Sequence, residues 1–319
     1  MKKRSIFLLG FVLAACKPDL PPGLDPRQEM RDFVQGISAH AKGIDPDFII
    51  IPQNGADLAT LDGTPGGMPA ADYLAAIDGQ GQEDLFYGYE RDNKETDIEI
   101  RAGIEPFLLI EENAGVEVLV TDYCSDERKM EDSYARSKAR NYLSFAADHR
   151  ELDHIPAYPS TVNQENDRDI LTLSDASNFL YLINPAEFES KQALLDALSA
   201  SAYDVLLIDA FFNEEILAAA DIARLRTKPQ GGQRLVISYM SIGEAEDYRY
   251  YWNSDWKKNR PDWLDRENPR WKGNYKVRYW EAEWQALIYG NSSAYLDRIL
   301  TAGFDGVYLD IIDAFEYYE

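Results

Sequence analysis

Acidic side chains stand at or just beyond the ends of most apolar, strand-like runs in this sequence of 319 residues. The acids in these positions are Glu83, Asp122, Asp148, Asp209, Glu244, Asp310 and Asp313. In a barrel of parallel strands, the C-terminal strand ends and the loops that follow them share one face, and reactive groups are placed there. A ring of carboxyl groups suits cleavage of a glycosidic bond, because one carboxyl protonates the leaving oxygen while another attacks the anomeric carbon or activates water. Any single acid can instead cap a helix or bind backbone amides, so the prediction depends on the whole set.

Aromatic residues form a second group of candidates. All six tryptophans, Trp280 among them, lie between residues 252 and 284, where several tyrosines accompany them. Indole faces suit the apolar C–H faces of sugar rings and attract ammonium groups. This segment also needs a small core of its own, so we expect most of the rings to pack against one another and about two or three to contact a ligand.

Other chemistries receive little support. Gly79-Gln80-Gly81 lacks the third glycine of a phosphate-binding loop. The histidines, at positions 40, 149 and 154, show no zinc-type spacing, so we expect neither a metal nor a cofactor. Cys124 directly follows a predicted strand, and a buried, unreactive thiol is a more common outcome there than a nucleophile.

The elements that must position these residues alternate between apolar runs and helical patterns. The predicted strands are 48–54, 77–83, 116–123, 143–148, 179–184, 203–210, 234–242 and 304–310. Several are nearly continuous in Val, Ile, Leu and aromatic residues, as strands buried on both faces should be. Helical patterns at 126–141, 188–200 and 214–226 lie between them. Eight strands with intervening helices predict an α/β fold, a (β/α)8 TIM barrel.

The two ends of the chain depart from the usual order of a barrel. A helical stretch at 27–42 has no strand before it, and the last strand, 304–310, is followed by too few residues for a full return helix. A barrel strand needs a covering helix, so the first helix is expected to cover the last strand and bring the chain ends together. The turn-rich connection 149–177 then marks the place where ancestral termini were joined.

Long motifs throughout the chain resemble one family. The motifs are Phe48-Ile49-Ile50-Ile51-Pro52-Gln53-Asn54-Gly55, Gln82-Glu83-Asp84-Leu85-Phe86-Tyr87, Val120-Thr121-Asp122-Tyr123, Asp148-His149-Arg150-Glu151-Leu152, Ser241-Ile242-Gly243-Glu244-Ala245-Glu246-Asp247-Tyr248-Arg249, Trp263-Leu264, Glu267-Asn268-Pro269, Asn274-Tyr275-Lys276-Val277 and Gly303-Phe304-Asp305-Gly306-Val307-Tyr308-Leu309-Asp310. They resemble the bacterial extracellular branch of the endo-α-1,4-polygalactosaminidase-like proteins, glycoside hydrolase family 114 and its relatives. In that family the block here at 27–155 follows the block here at 170–319. The chain therefore resembles a circular permutant of the family barrel, which neighbouring termini would tolerate.

The resemblance also implies a catalytic pair. In the family, an aspartate at the end of the fourth strand and a glutamate at the end of the sixth flank the scissile bond, and these positions correspond here to Asp310 and Glu83. We expect Asp310 to act as nucleophile or base and Glu83 as general acid, which requires a carboxyl that stays protonated at neutral pH. Glu244 is the rival for either role. Contacts to substrate are expected from Glu244, Asp209, Asp313, Tyr181, Arg249, Asn54, Asp122 and Trp280.

The N-terminus predicts export. Lys2, Lys3 and Arg4 precede a short apolar run that ends in Leu13-Ala14-Ala15-Cys16. The run is too short to span a bilayer and is typical of an export signal. It resembles a bacterial lipoprotein signal, cleaved after residue 15 and lipidated at Cys16, with an ordinary secretory signal as the alternative. Residues 16–26 would form a tether, and residues 27–319 one barrel domain, in a monomeric, membrane-anchored lipoprotein facing the periplasm or the cell exterior.

Composition limits the partners. Lys and Arg total 32 against 56 Asp and Glu, which gives a formal net charge of −24. An acidic surface repels phosphate backbones, which argues against nucleic acid as a partner, and it suits a cationic polymer. The predicted function is endo hydrolysis of a galactosamine-containing polysaccharide outside the cytoplasm. The alternative is a non-catalytic carbohydrate-binding lipoprotein on the same barrel, because a fold alone does not establish turnover.

Overall fold

The computed structural model describes residues 20–319 of the chain. Cys16 and the predicted signal at 1–15 lie outside the described residues. The helices are α1 Pro26–Ile44, α2 Ala71–Ala76, α3 Ile98–Asn113, α4 Glu127–Lys138, α5 Lys191–Ala200, α6 Ala219–Leu225, α7 Ala282–Ile288, α8 Tyr295–Ala302 and α9 Phe315–Tyr318. The strands are β1 Ile49–Pro52, β2 Gly79–Glu83, β3 Glu117–Tyr123, β4 Leu143–Ala147, β5 Phe179–Leu182, β6 Val205–Asp209, β7 Phe211–Phe212, β8 Glu215–Ile216, β9 Leu235–Ser241, β10 Glu244–Glu246, β11 Leu264–Glu267, β12 Asn274–Val277 and β13 Gly306–Asp310.

Eight of these strands form two parallel sheets. One sheet has the order β1-β13-β9-β6-β5 and the other β2-β3-β4. The sheets meet at β1 and β2, where Gln53 and Gly81 form a parallel bridge and the Asn54 N–H donates to the Gly81 carbonyl at 2.8 Å. On the other side β4 lies beside β5, with no hydrogen-bonded ladder between them in residues 20–319. All eight predicted strands are confirmed, in a parallel α/β arrangement that resembles a TIM barrel.

Burial on both faces explains why these strands form. Every residue of β9 is buried, as is every residue of β4 and of β5. The backbone groups of such strands are hydrogen-bonded in the ladders, and the side chains on both faces pack in the core. Their sequences therefore show no alternation between apolar and polar positions. The parallel strands therefore hold the acids at their C-terminal ends in fixed positions on one face of the fold.

The two chain ends are neighbours. Strand β13 pairs in parallel with β1, with Gly306 opposite Ile49. The Arg27 guanidinium donates to the Glu319 carboxylate at 2.9 Å. Helix α1, which begins at Pro26 under an Asp25 cap, packs against α8 and α9. Helix α1 thus contacts the helices that precede and follow β13, and the prediction that the chain ends lie together is confirmed.

Smaller elements elaborate the loops after β6 and β9. Strands β7 and β8 form a hairpin, and β10, β12 and β11 form an antiparallel sheet. Trp263 packs against both Trp256 and Trp284 with ring centroids 5.0 Å apart, which agrees with the prediction that most of these rings form a core of their own. No helix within residues 20–319 is long and apolar enough to cross a membrane.

Candidate active site

A cavity of about 440 Å³ opens beyond the ends of β1 and β2. Its walls carry five carboxyl groups, from Asp57, Glu83, Asp84, Asp313 and Glu316. No Lys, Arg or His belongs to its lining in the described part of the chain. Apolar contact surface is supplied by Tyr89, Ile104 and Phe107. This volume is typical of small-ligand sites. The carboxyl groups give it a negative potential, which Arg27 and Arg150 reduce by pairing with Asp57 and Asp84.

Glu83, the last residue of β2, is fixed by two neighbours. Asn54 donates from Nδ2 to Glu83 Oε2 at 3.1 Å, and its Oδ1 accepts from the Glu83 backbone N–H at 3.1 Å. The Tyr123 hydroxyl donates to Glu83 Oε1. Asn54 has a φ of +61°, a left-handed conformation that Asn adopts more readily than most residues. Donors therefore face both oxygens of the Glu83 carboxyl group and fix its orientation.

Asp310, the last residue of β13, is the second acid of the predicted pair. Its Oδ2 accepts from the Tyr239 hydroxyl at 2.7 Å, and its Oδ1 accepts from the Ile311 N–H at 2.8 Å. Burial, and then the charge of Glu83, raise the pKa of Asp310 to about 8. The Asp310 and Glu83 carboxyl groups are therefore electrostatically coupled at the ends of their strands.

The backbone directly after Asp310 is strained. Ile311 has a φ of +60°, which a β-branched residue adopts only at a cost of about 1–3 kcal/mol. Gly243, in the turn between β9 and β10, packs against this residue so closely that a Cβ there would lie 2.1 Å from the Ile311 carbonyl oxygen. The close approach of these two loops fixes the position of Asp310.

Asp313 and Glu244 lie next to the pair. Burial and the charge of Glu83 raise the pKa of Asp313 to about 6. Glu244 is buried and accepts from Asn268 Nδ2 at 2.8 Å, with Lys276 Nζ 3.8 Å away. Burial also raises the pKa of Glu244. Asn54, Glu83 and Asp313 line the cavity. Asp310 and Glu244 are not part of its lining, and they interact with Glu83 and Asp313 through their charges.

Other predicted contacts face the protein interior. Asp122 is fully buried, with Oδ1 accepting from the N–H groups of Phe86 and Tyr87 and Oδ2 from the Ser133 hydroxyl. It holds the loop after β2 and contacts no part of the cavity. Tyr181 is also buried, and its hydroxyl donates to Gln53 Oε1 at 3.0 Å. We therefore correct the prediction that Asp122 and Tyr181 bind substrate, because both residues instead support the surrounding structure.

Asp209 and Arg249 are occupied with each other. Arg249 lies 2.7 Å from Asp209 in an ion pair, and its Nε donates to Glu246. Its side chain is 5% exposed, so it joins β6 to the loop after β10 and has no free donor directed at the cavity. Trp280 packs against Tyr279 and Tyr318 near the chain ends, away from the cavity lining, so we correct these predicted contacts as well.

Two residues near Glu83, Arg150 and Tyr123, were not predicted as site residues. Arg150, in the loop after β4, pairs with Asp84 at 2.9 Å and stacks 3.7 Å above the centre of the Tyr123 ring. Tyr123 in turn donates to Glu83. Burial raises the pKa of Asp84 to about 6 despite Arg150. Arg150 and Tyr123 occur in the motifs that resemble the family, but only the fold shows that they lie near Glu83.

The structure also brings together three side chains whose spacing in the sequence did not suggest a metal site. Potential ligand atoms of His149, Asp153 and His154 lie within 4.8 Å of one another. Leu152, which lies between the two histidines in the sequence, has a φ of +51°. Because of this irregular backbone, the three residues do not follow the regular spacing of a helix or a hairpin. Cys124 is buried, and burial raises the pKa of its thiol, which makes it a poor nucleophile.

Comparison with known proteins supports the same chemistry. Residues 160–318 match the family model of glycoside-hydrolase family GH114. An uncharacterized protein of Methanocaldococcus jannaschii is 38% identical over 156 residues, which are 49% of this chain and 42% of that protein. Uncharacterized proteins of Thermotoga maritima and Deinococcus radiodurans are 38% and 41% identical over 122 and 128 residues, or 36% and 39% of their lengths. The chain thus spans about two fifths of each of these relatives, and the family match supports a glycoside hydrolase.

Proposed function

We propose that this protein is a glycoside hydrolase in which Asp310 and Glu83 flank the scissile bond. One observation carries the proposal: two electrostatically coupled carboxyl groups stand at the ends of parallel strands, and one of them, Glu83, lines a ligand-sized cavity. Asp310 belongs to the half of the chain that matches a glycoside-hydrolase family. Two carboxyl groups with one proton between them supply the acid and the base that this reaction requires.

Burial and the charge of Glu83 raise the pKa of Asp310 to about 8, which makes Asp310 a candidate for the acid that protonates the leaving oxygen, with Glu83 as nucleophile or base. The hydrogen bonds do not distinguish the two carboxyl groups, because each accepts from donors at both of its oxygens. The family resemblance implies the opposite assignment, with Glu83 as the acid.

The roles are tested with a substrate whose leaving group needs no protonation. Asp310→Asn should recover much of its lost rate on an activated aryl glycoside, because such a leaving group departs without being protonated. Glu83→Gln should stay slow on both substrates. The opposite pattern would restore Glu83 as the acid.

We propose a polysaccharide rich in galactosamine, partly deacetylated and therefore cationic, as the substrate. The support is the cavity itself, which carries five carboxyl groups. Asp57 pairs with Arg27 and Asp84 with Arg150. The other three, Glu83, Asp313 and Glu316, form no ion pair within residues 20–319. An ammonium group gains from such a potential, whereas a neutral N-acetyl group does not. Tyr89, 54% exposed at the cavity, offers an aromatic face for a sugar ring.

The decisive experiment measures reducing ends released from partly deacetylated poly-galactosamine and from the fully N-acetylated polymer. The parent protein should prefer the former. Asp310→Asn and Glu83→Gln should each lower turnover by at least about 10²-fold. Glu214→Gln, a change of an exposed acid in the turn of the β7–β8 hairpin, is the matched control. Binding of the polymer without release of reducing ends would favour the non-catalytic, carbohydrate-binding alternative.

We further propose that the two sheets form one eight-stranded barrel that is circularly permuted relative to its family. The pairing of β13 with β1 and the Arg27–Glu319 ion pair support this order. A permuted chain aligns collinearly with a family over only one of its parts, and the family match here covers 160–318.

Export and anchoring through lipidated Cys16 remain part of the proposal, with a monomer facing the periplasm or exterior. Incorporation of labelled palmitate that is lost in Cys16→Ser would support it. Release of a soluble, unlabelled parent protein would instead support an ordinary secretory signal.

A further inference from the structure

A second group of functional side chains lies in the loop after β4. His149 Nδ1 and Asp153 Oδ1 are 3.0 Å apart, and His154 Nδ1 and Asp153 Oδ1 are 2.7 Å apart. None of the three lines the acidic cavity. Two imidazoles and one carboxylate that meet at a point form a common donor set for divalent transition metals.

The chain holds this group in place without help from a ligand. The carbonyl of Leu152 accepts from the N–H groups of Ile183 and Asn184 at 3.0 and 3.2 Å, just beyond the end of β5. This anchors the turn between the two histidines to the sheet. Asp153 is buried, whereas the His149 side chain is 57% exposed, so the cluster has a fixed base and an open side.

Asp148 provides a second, independent observation. Its carboxylate lies 3.1 Å from His154 Nε2, on the side of the ring opposite to Asp153. Histidines that bind metals usually donate their other ring N–H to a carboxylate in this way. Nδ1 of the same ring faces Asp153 Oδ1 at 2.7 Å, so the His154 ring lies between two carboxylates, one at each of its nitrogen atoms.

We propose that His149, Asp153 and His154 bind one divalent transition metal ion of the zinc class, with Asp148 orienting His154. Three protein ligands leave a further coordination position, which the exposed side of His149 opens to solvent. The ion joins residues 149 and 154 on either side of Arg150. Since Arg150 pairs with Asp84 and stacks on Tyr123, the metal stabilises the loop that supports this part of the cavity wall. The proposal does not depend on hydrolytic activity.

The test uses the full chain, prepared without a histidine tag, stripped with EDTA and titrated with Zn²⁺ in a calorimeter near neutral pH. We expect one ion per chain with micromolar or tighter affinity, and a melting temperature that rises with Zn²⁺. His149→Gln, Asp153→Asn and His154→Gln should each weaken binding at least about 10-fold, and Asp148→Asn about 10–100-fold. Mg²⁺ should not compete, because it prefers oxygen ligands in an octahedron.

His40→Gln is the matched control, because His40 also lies 3.0 Å from a carboxylate, that of Asp297, but has no second histidine beside it. It should bind Zn²⁺ as the parent protein does. The proposal would be overturned if the parent protein showed no saturable Zn²⁺ binding, or if binding survived both His149→Gln and His154→Gln. The three residues would then form a histidine–aspartate cluster bridged by protons. Because His149 is exposed, its substitution keeps the fold and gives a clear result even where a change at Asp153 disturbs folding.

Discussion

Asn54 is the residue whose removal most directly tests how Glu83 is held. Its side chain binds both the carboxylate and the backbone N–H of Glu83. Asn54→Gly keeps the left-handed backbone without strain and removes both contacts. We expect kcat to fall about 10- to 100-fold with little change in KM or melting temperature, because a mispositioned catalytic group loses rate before it loses binding.

Asn93→Gly is the matched control for this change. Asn93 has a φ of +64°, and its Oδ1 accepts from the N–H groups of Ser125 and Asp126. It therefore has the same conformation and the same kind of contacts, but it does not touch Glu83. An equal loss of kcat in both variants would show that the effect at Asn54 is one of general stability.

Ionisation of Asp310 should lower the free energy of unfolding as the pH rises. Its pKa is raised from 3.8 to about 8 in the native state, so the native state keeps a proton that the unfolded chain releases near pH 4. Its contribution to stability is fully present below about pH 4 and is lost as the pH rises through about 8. Asp310→Asn removes this dependence. We expect the variant to melt several degrees above the parent at pH 8 and near it at pH 4, whereas Asp167→Asn, at an exposed site, should show no such difference.

Strand-end position predicted Asp310, Glu83 and Asn54 as neighbours, but it could not predict which way every side chain points. Successive residues of a strand face opposite sides. Glu83 and Asp310 are the last residues of β2 and β13, whereas Asp122 is one residue before the end of β3 and faces the protein interior. Arg249 follows a strand in the sequence as well, but its charge is already neutralised by Asp209 and Glu246. These long-range pairings leave no local signal in a single sequence.

At the scale of elements, the contact between two loops fixes the strained residue after Asp310. Gly243→Ala would place a Cβ 2.1 Å from the Ile311 carbonyl oxygen and 2.7 Å from the Ala314 Cβ. Backbone atoms cannot give way as a flexible side chain can, so the β9–β10 turn and the segment after β13 must separate. We expect a lower melting temperature and at least about a 10-fold loss of turnover.

Gly43→Ala is the control for this substitution, since a Cβ at Gly43 in α1 meets nothing within 4 Å. It should leave activity unchanged and stabilise the protein slightly, because Ala is favoured over Gly in a helix. If Gly243→Ala matched the parent in both measurements, the close contact would have no role in positioning Asp310.

Elements with a continuous apolar pattern were predictable, and those held by irregular contacts were not. The eight parallel strands read directly from buried runs. Helix α3 was missed because Pro106 stands inside it, and proline usually ends a helical pattern. The antiparallel sheet of β10, β12 and β11 was missed because its strands are short and one ladder shifts register between Leu264 and Glu267. Its residues gain order from the aromatic core around them, which a local pattern does not reveal.

At the scale of the whole molecule, the proximity of the chain ends changes how the sequence order should be understood. Glu319 pairs with Arg27, β13 pairs with β1, and α1 packs against α8 and α9, which precede and follow β13. The fold would therefore be almost unaffected by joining these ends and opening the chain elsewhere. The long connection after β4 offers an exposed opening between Ser160 and Thr161, which coincides with the start of the family match at residue 160.

A chain that begins at Thr161, runs to Glu319, continues through a short Gly-Ser linker to Leu24 and ends at Ser160 should fold as the parent does. Its strands would follow one another in the order of the family, beginning with β5. We expect cooperative melting within a few degrees of the parent and the same turnover on partly deacetylated poly-galactosamine, because every strand pairing is kept and only a surface connection is cut. A second permutant with the same linker, opened between the exposed Pro65 and Gly66, tests whether the linker itself is tolerated. If that chain folds while the one opened at Ser160 does not, the connection after β4 is an essential part of the fold, and the proposal that it marks former termini is wrong.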